Sequence, residues 1–145
     1  GSATTASTIA NDLGFDIIKK TKTKIPFKIM SLTDNNGVMT AISNDVGYES
    51  LFENQLKIHY QTGDCLIVIS ASGNSENLIR AVRWVNQNKG ITMGLLGFDG
   101  GKLLNLCDTS ILVNTKSGEY GPVEDIHLVI NHILAHWFQN KLKKS

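Results

Sequence analysis

A chain of 145 residues, 41% hydrophobic and 19% charged, has the length and composition of one folded domain with a substantial core. Fourteen Lys and Arg against thirteen Asp and Glu leave a formal charge of +1, and the basic residues gather only at Lys141, Lys143 and Lys144 and in the stretch 21–28, expected to be a solvated loop; this argues against nucleic acid as a ligand. No apolar run reaches the roughly 18 residues of a membrane span and no signal core is visible, so no membrane partner is expected and the cytoplasm is the expected compartment.

Residues 4–13 carry Ala6, Ile9, Ala10 and Leu13 at helical spacing, with Gly14 placed to stop the helix. Residues 25–32 (IPFKIMSL) predict a strand, the turn cluster 33–37 follows, and 38–43 predicts a small-residue helix. Leu51, Phe52, Leu56 and Ile58 predict a helix over 49–60, closed by Gly63 and Asp64. Residues 65–69 (CLIVI) form an unbroken apolar run, the pattern of a central parallel strand covered on both faces. An amphipathic helix is expected over 74–88, a strand over 92–96, a helical turn over 102–106 and a last strand over 110–113. Ile126, Ile130, Ile133, Leu134 and Trp137 mark a final helix over 123–141. Cys65 and Cys107, far apart and flanked by apolar residues, read as small core residues in a reducing compartment. Strands alternating with helices mean a three-layer α/β fold, a doubly wound parallel sheet with its ligand at the carboxyl ends of the strands.

The segment Ser70-Ala71-Ser72-Gly73-Asn74-Ser75 stands at such an end, between a strand and a helix. A helix N-terminus offers unpaired N–H groups and partial positive charge, so it holds an anion without a basic side chain. Ser70, Ser72 and Ser75 add hydroxyls, Gly73 permits close approach or positive φ, and Asn74 or Ser75 is suited to cap the helix. Neither Gly-x-x-x-x-Gly-Lys-Ser nor Gly-x-Gly-x-x-Gly is present, so a phosphosugar fits better than a nucleotide.

Together with 1–3 (GSA), 43–48 (SNDVGY), 97–102 (GFDGGK) and Val123-Glu124-Asp125-Ile126-His127 running on to His132, this segment resembles the sugar isomerase (SIS) domain family, most closely its phosphoheptose isomerase branch, over essentially the whole chain. The resemblance implies a flavodoxin-like sheet and a single domain over 1–145, from which the family's first helix and strand would be missing. It implies phosphate binding by Ser2, Ser70, Ser72 and Ser75, and substrate binding by Asp45, Gly73, Asn74 and Glu124. The family's catalytic glutamate falls on Asp12 and its catalytic histidine on His132. Its zinc ligands fall on Thr8, Asp12, Glu124 and His132, so that zinc would have Asp12, Glu124 and His132 left to hold it, with Thr8 where a histidine stands in the family. It also implies a homo-oligomer, a tetramer.

Aldose–ketose isomerisation passes a proton between adjacent carbons through an enediol and needs a carboxylate base and an acid at the carbonyl oxygen, the roles expected of Asp12 and His132. The expected function is therefore interconversion of a ketose phosphate and an aldose phosphate similar to sedoheptulose 7-phosphate. The alternative is a non-catalytic phosphosugar-binding module acting in regulation or protein interaction, suggested by Thr8 and by the shorter Asp12. His136 reads as a packed or interface residue, and Glu124 and His127 as either site groups or a helix-face ion pair.

Overall fold

The computed structural model describes residues 1–23 and 26–143. In chain order the elements are α1 (Ser2–Leu13), α2 (Phe15–Thr21), α3 (Asn36–Asp45), a 3-10 turn (Tyr48–Ser50), α4 (Leu51–His59), β1 (Cys65–Ser70), α5 (Glu76–Gln87), β2 (Ile91–Gly97), α6 (Leu103–Leu106), β3 (Thr109–Val113) and α7 (Tyr120–Leu142). The strands pair in parallel in the order β1-β2-β3, with Ile69 opposite Leu95 and Leu95 opposite Ile111.

Successive side chains of a strand point to opposite faces, and the apolar run of β1 feeds two cores. Ile67 and Ile69 join Ile9, Leu13, Leu95 and Ala135 beneath α1 and α7. Leu66 and Val68 join Ile79, Val82, Leu96 and Leu103 beneath α5 and α6. The result is the three-layer, doubly wound α/β architecture, in which each fully buried aliphatic side chain contributes about 1.5–3 kcal/mol. α4 packs outside α5 through Leu56, Ala81 and Val85. At the amino edge of the sheet Asp108 accepts from both the N–H (2.8 Å) and the hydroxyl (2.9 Å) of Thr92, which joins the start of β2 to the approach to β3. These two bonds, backbone first, hold the Asp108 carboxyl below the usual carboxylate range.

Several expectations need correction. The strand expected over 25–32 carries no ladder among the described residues; Ile25 itself lies outside them. A strand exists only where its backbone pairs with a neighbour, and here the apolar side chains face helices instead: Ile29 joins the α1–α7 core and the Phe27 ring meets Phe138 edge-on at 4.8 Å. The loop expected over 21–28 begins after Thr21, which ends a helix, α2, that the turn-like Gly14 concealed; Lys24 and Ile25 of that stretch lie outside the described residues. Cys65 is exposed at the first position of β1, where the chain enters the sheet, and Cys107 is half-buried. On α7 the buried stripe is Val123, His127, Asn131, Ala135 and Gln139, one residue per turn, whereas Ile126, Ile133 and Trp137 are exposed.

Candidate functional site

The turn after β1 closes on the loop after β2. Gly73 has φ +62°, and a Cβ there would strike the carbonyl of Gly100. Leu103 N–H donates to Gly73 O at 3.0 Å. The Asn74 amide is engaged at both ends, Nδ2 donating to Ser72 O (3.0 Å) and Oδ1 accepting from Lys102 N–H (3.1 Å). Gly73 and Asn74 thus shape the turn by joining two loops. Ser70 Oγ accepts from Gly73 N–H (3.0 Å) and Ser72 Oγ from Asn74 N–H (3.3 Å). A hydroxyl that accepts a bond keeps its proton to donate, so both are oriented and still able to meet an anion. Ser75 occupies the N-cap of α5, but its hydroxyl makes no cap bond and is likewise uncommitted.

Beside this turn lies a cavity of about 280 Å³ lined by Ser72, Asn74, Phe98, Asp99, Asn114, Thr115, Ser117 and Tyr120, at the carboxyl ends of all three strands. The residues after β3 carry no motif, and only their position behind a strand marks them.

A second group sits where α1 meets α7. Asp12 on α1 has a side chain 15% exposed, and its Oδ2 lies 3.7 Å from Nε2 of His132, which is 55% exposed. Asp12 Oδ2 also accepts from Asn131 Nδ2 at 2.7 Å, and Oδ1 from Asn11 Nδ2 at 3.1 Å. Asp12 and His132 line a cavity of about 210 Å³ together with Asp16, Lys20, Ala135, His136 and Gln139. His136 is thus part of a cavity wall. Asn131 is the partner that sequence patterning missed; the available signal was an amide in helical register with Val123, His127 and Ala135 along one side of α7.

The remaining candidates fall around these groups. Ser2 opens α1, next to Gly1, whose amine lies 3.7 Å from Glu124 Oε1. Val123, the residue before Glu124, packs over Gly97 beside the carbonyl of Ala71, so α7 carries Glu124 close to the turn after β1. Asp45 ends α3 exposed, and its carboxylate accepts from Asn44 Nδ2 (2.9 Å). The 3-10 turn that follows is tied to α5 by Arg80 Nη1 donating to Ser50 Oγ at 3.1 Å. His127 is neither a site group nor an ion-pair partner: it is fully buried, with Nε2–H donating to Leu96 O at 3.1 Å. Burial pushes its imidazole below the ordinary value, and the Leu96 bond and the Glu124 charge oppose the shift.

The comparisons with known proteins agree with this geometry. Residues 1–97 match the SIS domain model. The phosphoheptose isomerase of Nitratiruptor sp. is 40% identical over 135 residues, covering 93% of this chain and 70% of that protein. The chain belongs to the SIS domain family, in its phosphoheptose isomerase branch. The phosphoheptose isomerase of Aneurinibacillus thermoaerophilus is 43% identical over 106 residues, 73% of this chain and 52% of that relative. The solved phosphoheptose isomerase of Neisseria gonorrhoeae superposes with TM-score 0.82 at 27% identity, covering 97% of this chain and 72% of that one. The SIS domain described here thus spans between half and three-quarters of the length of these relatives.

The donors carried over for zinc do not fit a metal in this SIS domain. Thr8 donates its hydroxyl to Thr4 O at 3.0 Å, and Asp12 is held by Asn131. Among the described residues no three His, Cys, Asp or Glu side chains come together as ligands. The half-buried Cys107 thiol is pushed up by that burial, away from the ligating thiolate.

Proposed function

We propose that this SIS domain interconverts a ketose phosphate and an aldose phosphate, with sedoheptulose 7-phosphate as the substrate type, through an enediol. The observation that carries the proposal is the pairing of a nearly buried carboxylate, Asp12, with an imidazole, His132, 3.7 Å away on the wall of one cavity. A general base and a general acid within reach of adjacent atoms are what proton transfer between neighbouring carbons requires. Asp12 takes the proton from the carbon beside the carbonyl and returns it to the former carbonyl carbon. His132 donates to the carbonyl oxygen as the enediol forms and takes the proton back from the other hydroxyl. Ser2, Ser70, Ser72 and Ser75, with the N-terminus of α5, hold the phosphate; Asp45 and Glu124 contact the sugar, and Gly73 and Asn74 keep the turn in shape.

Two further parts belong to the proposal. Ile126, Val129, Ile133 and Trp137 expose an apolar stripe along α7, which fits a homo-oligomer, a tetramer by family resemblance. No helix among the described residues is long and apolar enough to cross a membrane, and a phosphosugar substrate fits a cytoplasmic location.

The test is turnover of sedoheptulose 7-phosphate followed by NMR in D2O, where isomerisation through an enediol also exchanges the migrating proton. The expected result is turnover that falls at least 10²-fold, roughly, in Asp12→Asn, as for loss of a general base. Thermal stabilisation by the sugar phosphate with no turnover and no exchange would instead select the binding-module alternative.

A further inference from the structure

Asn131 sits at the middle of α7 with none of its surface exposed, beside His132 in sequence and one turn beyond His127. Burying an amide is unfavourable unless both of its ends find partners. Nδ2 has one, Asp12 Oδ2 at 2.7 Å, reached across 119 residues of chain; Oδ1 is buried with none. An amide kept for the stability of the core would have both ends paired. This one makes a single short bond to an ion, the stronger kind of hydrogen bond, aimed at the carboxylate that shares a cavity with His132. Asn11 also donates to Asp12, at 3.1 Å, but it is an exposed neighbour in sequence whose side chain can leave without moving anything else. Asn131 cannot, because close packing locks its rotamer.

We propose that Asn131 is the positioning residue of the reaction: its amide fixes the rotamer of Asp12 and turns the free lone pairs of that carboxylate into the cavity. The inference rests on the reading of Asp12 as the base. An aspartate has two side-chain torsions, and a bond from a rigid donor to Oδ2 restrains both.

Asn131→Leu, made in the full chain, keeps the branching and heavy-atom count of the side chain and removes the donor. The expected kcat on sedoheptulose 7-phosphate falls roughly 10- to 100-fold, the scale of an ångström-level misplacement, with KM held within about threefold. Tm is expected to change little, because an unpaired buried oxygen leaves together with the amide while the methyl groups add bulk. Asn131→Gln, which retains a donor, is expected to recover part of the lost kcat. In the crystal structure of Asn131→Leu the Asp12 carboxylate is expected turned from its present rotamer or split between two. Unchanged kcat with an unmoved Asp12 would overturn the proposal, and so would a fall in Tm that accounts for the lost activity. Should Asn131→Leu fail to fold, Asn131→Ala, which adds no bulk, is read by the same measurements. If the unmodified protein turns over no sugar phosphate, the isomerase reading fails, and the Asp12 rotamer in the variant still decides whether Asn131 holds it.

Discussion

His127 and Asn131 occupy neighbouring turns of the same buried stripe, and each leaves one polar atom without a partner, Nδ1 and Oδ1. For His127 the consequence is a pH dependence. Its Nε2–H is committed to Leu96 O and burial depresses its pKa, so the folded state keeps the ring neutral below the ordinary 6.5, where the unfolded chain takes up a proton. Stability from this group is complete above pH 6.5 and declines as pH falls from there toward the depressed folded value, below which the slope vanishes. Urea midpoints at pH 7.5 and 5.5 measure it: the drop on acidification is expected to be smaller in His127→Gln, and an equal drop in both proteins would show that another group is responsible. At this scale the sequence placed the hydroxyls of Ser70, Ser72 and Ser75 on one turn, and the family resemblance picked out Asp12 and His132, which the fold brings within 3.7 Å of each other. The sequence could not separate His127 from His132. Both are histidines on one helix five positions apart, and what distinguishes them is which side of α7 the sheet covers.

At the scale of elements, the turn after β1 and the loop after β2 behave as one unit, held by the Asn74 amide and by the Leu103 N–H on Gly73 O. Gly73 is the point at which this unit admits no side chain, since its φ is +62° and the Gly100 carbonyl fills the space of a Cβ. Gly73→Ala is expected to cost about 2–4 kcal/mol, from left-handed strain and overpacking together, and to abolish thermal stabilisation by sugar phosphate. Urea denaturation and a thermal-shift titration measure the two effects, and a variant that keeps both would show that the loops can separate without harm. The elements were legible from periodicity where a helix supplies its own bonds, as in α5 and α7, and where an apolar run finds a neighbouring ladder, as in β1, β2 and β3; all stand within two or three residues of expectation. The segment 25–32 has the alternation of a strand but no neighbouring ladder, and α2 lies behind a glycine that signals a stop and acts as a junction.

At the scale of the whole molecule, α7 has two unlike sides, a mostly polar buried stripe and an exposed side bearing Ile133 and Trp137, 62% and 51% exposed. An apolar side left to solvent on the longest helix supports the proposed self-association. Ile133→Glu is expected to reduce the molar mass measured by light scattering after gel filtration, and an unchanged mass would place the interface elsewhere. The same helix shows what one-dimensional information determined and what it did not. Composition, the run 65–69 and the turn 70–75 were enough for an α/β domain with a strand-to-helix turn at the carboxyl end of β1, because periodicity and helix-end chemistry are local properties. Which side of α7 turns inward, which histidine joins the core and which amide holds Asp12 were decided by tertiary packing. Helical periodicity identifies an apolar side without saying whether it will meet this chain's own sheet or another surface, and the bond from Asn131 to Asp12 joins residues 119 positions apart.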